Sequence, residues 1–271
     1  YKLNDGQWQT WDLSAVSLAD GDKMYLKSDD TIPMSESAEI YKGISRNGNG
    51  TIVVSGNIMS LLNFSTTLTD YALCKFFAYD NELTTTPELP ATTLGSHCYD
   101  SMFCNCTSLT TAPELPATTL ADCCYYNMFK QCTSLVTAPA LPATTLADNC
   151  YNNMFSDCTS LATAPALPAT TLADNCYNSM FQRCKSLVQA PELPATTLVN
   201  GCYYYMLRGC EKLNYVKAMF TDVPTEGNPV GSWLNNVSAT GTFVKNSAAT
   251  WTNEQAKIPT GWTVQTASPD K

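Results

Sequence analysis

A period of 26 residues constrains this chain more than any other feature it has. The hexapeptide Leu-Pro-Ala-Thr-Thr-Leu recurs five times unchanged, with its proline at Pro90, Pro116, Pro142, Pro168 and Pro194. In the same frame stand Cys-Tyr pairs beginning at Cys98, Cys124, Cys150, Cys176 and Cys202, and later cysteines at Cys106, Cys132, Cys158, Cys184 and Cys210. A unit this short cannot bury its own apolar face, so copies must stack and share one interior. The implied architecture is a solenoid, which offers a partner an extended surface rather than a pocket.

Within one repeat, Thr107 to Cys132, the residues Leu109 to Ala112 are small and compatible with a strand. Pro113 and Pro116 then punctuate the chain, and a proline at a ladder position removes a sheet hydrogen bond in every layer. The strand is therefore expected to be short. Thr119 and Asp122 match the Ser/Thr-x-x-acid start of a helix, as do Thr67/Asp70, Thr145/Asp148 and Thr171/Asp174. Leu120, Cys124 and Met128 follow four apart with Phe129 beside them, which reads as one apolar helical face. Leu109, Ala112, Leu115, Leu120, Cys124, Phe129 and Cys132 are expected to point inward.

The expected fold class is α/β: a right-handed solenoid of the leucine-rich-repeat type, with short parallel strands on one face and short helices on the other. Leu83, Leu109, Leu135, Leu161, Leu187 and Leu213 mark six coils, a stack roughly 25–30 Å long at parallel-strand spacing. The repeat array is assigned to residues 56–222. Residues 1–55 are not repetitive; Lys23 to Lys27 and Thr51 to Val54 read as strands between turns such as Asn47-Gly48-Asn49-Gly50, giving a β-rich N-terminal cap. Residues 223–271 are expected to form an irregular C-terminal cap of strands with one helical turn.

The formal net charge of −9, without any run of Lys or Arg, argues against nucleic acid and anionic membrane as partners. No apolar stretch approaches the roughly 20 residues of a membrane span. Tyr1 is not followed by a basic-then-apolar leader, so an export signal is expected to have been removed or to be absent. Of the thirteen cysteines, ten fall into two columns in register with the repeat. Equivalent cysteines in a parallel stack lie about 4.8 Å apart but point the same way. They read as buried, reduced thiols behaving as small hydrophobes. Cys98, Cys104, Cys106, Cys123 and Cys124 gather near His97, the single histidine, but only Cys104-Asn105-Cys106 nears the tight pairs of a structural zinc site. No metal or other cofactor is expected.

The frame Met128-Phe129-Lys130-Gln131-Cys132-Thr133-Ser134-Leu135, followed by Leu141-Pro142 through Leu146, resembles the BspA-like leucine-rich repeats of bacterial surface proteins from gut and oral anaerobes. The resemblance covers about residues 57–215, and the segment Val216 to Val264 is similar to the C-terminal end of such proteins. The 26-residue unit here departs from it by being longer than the family's usual one. The resemblance implies an exported protein at the cell surface or outside the cell, which adheres to host proteins or to other bacteria, with no catalytic residue to carry over.

The strand-side columns are the natural contact face of such an array. The candidate ligand-contact residues are Thr85, Glu88, Thr111, Glu114, Thr137, Thr163, Gln189 and Glu192, with Ala140 and Ala166 completing the second column. The expected function is non-enzymatic: protein–protein interaction or adhesion by a monomer, with a host or bacterial surface protein as partner. Glycan binding is the alternative, with Tyr126, Tyr204 and Tyr205 as exposed aromatics; a passive spacer is another. The pair Glu88 and Glu114, stacked one coil apart, has a spacing compatible with glycoside cleavage, but nothing in the repeat supplies a cleft or splits their environments. The tyrosine column Tyr99, Tyr125, Tyr151, Tyr177 and Tyr203 reads as core or groove-lining packing.

Overall fold

The structure, a computed structural model, describes residues 2–7, 9, 24–25, 52–62 and 65–267. Consecutive repeats lie over one another in parallel and in register. Thr67 bridges Thr93, Thr111 bridges Thr137, Thr137 bridges Thr163, Thr119 bridges Thr145, and Gln189 bridges Tyr215. In the proline-bearing coils the extended segment touches its neighbour only through such single bridges. The reason is the missing N–H of each proline. Where Lys217 and Phe220 stand one repeat after Pro191 and Pro194, the ladder lengthens at once into true strands. These are β3 (Tyr215–Ala218), β4 (Gly241–Lys245) and β5 (Trp262–Thr266), paired in parallel in chain order, with Tyr215 opposite Thr242 and Thr242 opposite Thr263.

At the N-terminal end, β1 (Lys2–Leu3) pairs antiparallel with β2 (Met24–Tyr25), and Ile52 makes a parallel bridge to Leu83. A 3₁₀ segment, Ile58–Leu62, leads into the stack. Of the strands expected in this region, Lys23, Leu26, Lys27 and Thr51 lie outside the described residues, as do the turn residues Asn47 to Gly50.

The second side of each coil differs from the expectation. In place of short helices it carries a ladder of turns, and no α-helix occurs among the described residues. The backbone N–H groups of His97, Tyr99, Ser101, Phe103 and Asn105 donate to the carbonyls of Asp122, Cys124, Tyr126, Met128 and Lys130 in the next coil, at 2.7–3.0 Å. The intervening N–H groups of Cys98, Asp100, Met102, Cys104 and Cys106 donate three residues back, to Gly95, His97, Tyr99, Ser101 and Phe103. Half of the donors thus close turns and half stitch coils together. A helix would spend all of them on itself.

The side-chain pattern explains the choice. In Cys124-Tyr125, Met128-Phe129 and Cys132, buried residues recur every four positions. An α-helix turns about 100° per residue, so it drifts about 40° with each such step. From Leu120 to Cys132 that drift would carry one end of the row round to solvent, yet all of these side chains are buried. The turn ladder repeats at four and keeps both rows inside. Its conformational demand is a left-handed residue at every fourth position: His97, Ser101 and Asn105, then Cys123, Asn127 and Gln131, then Asn149, Asn153 and Asp157. Asn, Asp and Gly tolerate that region best, and Gly201 and Gly209 occupy it in a later coil.

The interior consists of columns. Tyr99, Tyr125, Tyr151, Tyr177 and Tyr203 stack with ring centroids between 5.7 and 6.0 Å apart. Phe77, Phe103, Phe129, Phe155 and Phe181 do the same at 5.5–5.7 Å. Leu109, Leu115, Leu120, Cys124, Phe129 and Cys132 are buried as expected, while Ala112 is partly buried. Trp233 closes the tyrosine column at 6.0 Å and donates its indole N–H to the Ala256 carbonyl at 2.8 Å. Trp251 and Trp262 cover the same end, donating to the carbonyls of Phe220 and Ser238.

The ladder makes a prediction whose sign opposes that for a helix. Gln131 is exposed at φ 64°. Gln131→Gly removes the left-handed strain and should raise stability by about 0.5–1 kcal/mol, whereas in a helix it would cost about 1 kcal/mol. Gln131→Val should destabilise by about 1–2 kcal/mol. Urea midpoints measure both, and a destabilising glycine would refute the ladder.

Candidate functional site

The parallel bridges carry the strand-side residues to the surface in straight lines. Thr111, Thr137 and Thr163 are linked by consecutive bridges and are all exposed; Gln189 continues the line and bridges Tyr215. Thr85 belongs to the same column but is only half-exposed. Its hydroxyl donates to the Val54 carbonyl at 2.8 Å and accepts the Val54 N–H at 2.9 Å. It ties the first coil to the segment before it, and the contact surface proper begins at Thr111.

The second column reads Glu88, Glu114, Ala140, Ala166, Glu192, and every member is exposed. Glu192 Oε1 receives the Lys217 ammonium at 2.7 Å. Where alanine replaces glutamate, a shallow depression of about 390 Å³ opens, lined by Ala138, Pro139, Ala140, Leu141, Pro142, Pro165, Ala166 and Pro168. Val136, in the coil of Ala140, and Val188, in the coil after that of Ala166, are 53% and 46% exposed. The middle of the strand side is thus apolar, and the glutamates lie beyond it along the stack. Sequence reasoning placed the alanines in their column but missed the depression. The available signal was two consecutive coils with Ala in a Glu column. Glu88 and Glu114 do not line this depression.

The cysteines are all free thiols, twelve of them buried and Cys123 half-exposed. In the second column each thiol donates to a phenylalanine carbonyl of the preceding coil at 3.1 Å: Cys106 to Phe77, Cys132 to Phe103, Cys158 to Phe129, Cys184 to Phe155, Cys210 to Phe181. Loss of solvation pushes these thiols up from the ordinary 9.0, to about 12 for Cys106 and Cys210. It pushes Cys150 in the first column up to about 12 as well. Cys123 rises to about 11, from desolvation first and then the charges of Asp100, Asp122 and Asp148. Such thiols are protonated at neutral pH, so they are poor nucleophiles and poor metal ligands.

No group of three or more His, Cys, Asp and Glu among the described residues is placed to hold a metal ion. His97 instead binds Asp100 through Nδ1 at 2.8 Å and stacks on Tyr71 at 4.8 Å, and the Ser101 hydroxyl donates to the other Asp100 oxygen at 2.6 Å. The column of His97, Cys123, Asn149, Asn175 and Gly201 stands at left-handed ladder positions and is half-buried or buried. The tyrosine column is buried throughout, so its ring faces are closed to a ligand. Tyr204 and Tyr205 lie close together, 4.0 Å between centroids, with the Arg208 guanidinium 4.7 Å from the Tyr205 ring centre. No described helix is long and apolar enough to cross a membrane. Comparison with protein-family models, with curated proteins and with solved structures gives no match.

The thiols generate a pH prediction. In the unfolded chain they ionise near their ordinary value, while in the folded chain they keep their protons to about pH 11–12. Above pH 9 the unfolded state therefore binds fewer protons, and stability present below pH 9 is lost as pH rises, by about 1.4 kcal/mol per pH unit for each buried thiol. The urea midpoint should fall steeply between about pH 8 and 10. At neutral pH a thiol reagent should modify Cys123 slowly and the other cysteines only after denaturation. Sulfur that stays unreactive in denaturant without reductant would contradict this.

Proposed function

We propose that the chain is a non-enzymatic binding protein of the leucine-rich-repeat type, acting at a bacterial cell surface or outside the cell. Its strand side, from Thr111 to Glu192, is the face that engages another protein. The observation that carries this reading is the alignment of exposed Thr111, Thr137 and Thr163 in one bridged line beside an apolar patch with acidic ends. An exposed apolar centre with polar surroundings is the anatomy of an interaction surface. The resemblance of residues 57–215 to BspA-like repeats supports the same reading and suggests adhesion. The reading requires neither a cofactor nor oligomerisation, and the chain binds as a monomer.

Glycan binding is a second reading. It is favoured by Tyr204, Tyr205 and Arg208, which form an aromatic and cationic corner on the turn side.

Surface-immobilised chain is tested against purified host-matrix and bacterial surface proteins, with a glycan array alongside. Thr111→Arg and Thr163→Arg should each weaken protein binding by about fivefold or more, while Gln131→Arg on the turn side leaves it unchanged. Equal affinity across all three variants would refute the strand-side assignment. Binding confined to the glycan array and lost on Tyr205→Ala would select the second reading. An absence of any ligand would make the array a spacer.

A further inference from the structure

We infer that the strand side selects an extended polypeptide segment in which an apolar side chain is flanked by two cationic ones. This rests on the protein-binding reading above and adds where on the face the ligand sits and which chemistry it carries.

The column Glu114, Ala140, Ala166, Glu192 is a set of equivalent positions one repeat apart. Its two middle members help form the 390 Å³ depression. Its two outer members are exposed carboxylates. Proline rings and alanine methyls make the floor rigid and apolar, so the residue seated there loses water without gaining a polar contact, which selects an apolar side chain. Three coil steps of about 4.8 Å put the two carboxylates about 14 Å apart. An extended chain advances about 3.3 Å per residue, so cationic residues four positions apart span the same distance. The pattern that fits is Lys/Arg, three residues with an apolar side chain among them, then Lys/Arg.

The chain itself shows how a column carboxylate takes an ammonium, for Lys217 lies 2.7 Å from Glu192. Glu192 is exposed and Lys217 half-buried, and a pair this open to solvent holds weakly enough for an incoming lysine to compete with it. The net charge of −9 further favours approach of a basic segment over an acidic one.

The test is a synthetic peptide array of the form basic–three variable residues–basic, with matched sets carrying Glu at both flanks or only Ser and Gly in the centre. Affinities of selected peptides are then measured by fluorescence anisotropy at low and high salt. Peptides with basic flanks and an apolar centre should be enriched. Glu114→Lys and Glu192→Lys should each weaken them by about two- to fivefold, and Lys217→Ala should strengthen them.

Ala140→Glu with Ala166→Glu is the decisive variant. Glutamate is the residue of this column in three other coils, so the fold tolerates it. The added charge would tighten a purely electrostatic complex, whereas filling the depression must loosen one that seats an apolar side chain. Weaker binding of apolar-centred peptides, with unchanged or tighter binding of Ser/Gly-centred ones, supports the inference. Tighter binding of both, or no preference for basic flanks, overturns it. If protein ligands still respond to Thr111→Arg and Thr163→Arg while these peptides show no preference, the face assignment survives and only the ligand chemistry falls. Indifference to every strand-side substitution removes both.

Discussion

Hydrogen bonds running along the stack axis are the interaction on which the rest of this molecule depends. On the turn side, alternate N–H groups reach the next coil and leave only the others to close local turns. A buried amide without a partner is costly, so a coil of this kind is incomplete without a neighbour in register. That requirement holds neighbouring coils in register, and the coil after Gly201, one residue longer, keeps the same five bonds, with Gly201 reaching Gly227 and Tyr203 reaching Pro229. Prolines limit what the strand side can add to this stitching, which makes the turn side the principal seam in the central coils.

Register turns sequence identity into spatial columns. Within each column a buried tyrosine or phenylalanine meets its copy in the adjacent coil, and nearly parallel rings stack between 5.5 and 6.0 Å. A cysteine in such a column has room for a small side chain and a carbonyl within reach, and its thiol serves as a hydrogen-bonding hydrophobe rather than a reagent. Termination follows the same logic. Trp233 stands in the stacking direction after Tyr203, and three indole N–H groups bind backbone carbonyls at that end of the core.

The same register builds the proposed contact surface. A one-residue change repeated in two adjacent coils alters a patch rather than a point. Alanine at 140 and 166 therefore produces an apolar depression bounded along the stack by glutamates. A binding specificity can be written in such an array by changing exposed positions alone, with the buried columns and axial bonds untouched.

What the sequence by itself determined is the stacking, the membership of each column and the inward residues, because a strict 26-residue period leaves identical side chains no arrangement but superposition. The exposed Thr and Glu columns were legible for the same reason. The conformation of the second side was not read correctly, although two signals were present. The rows Cys124, Met128, Cys132 and Tyr125, Phe129 repeat at four rather than 3.6, and Asn149, Asn153 and Asp157 mark left-handed positions. Over a single step of four residues a helix and a turn ladder look alike, and they diverge only along the whole row. Only the tertiary structure decided between them, because the ladder is satisfied by carbonyls 25 residues away in the next coil. The depression was likewise a tertiary outcome, formed where prolines and alanines of two coils come side by side.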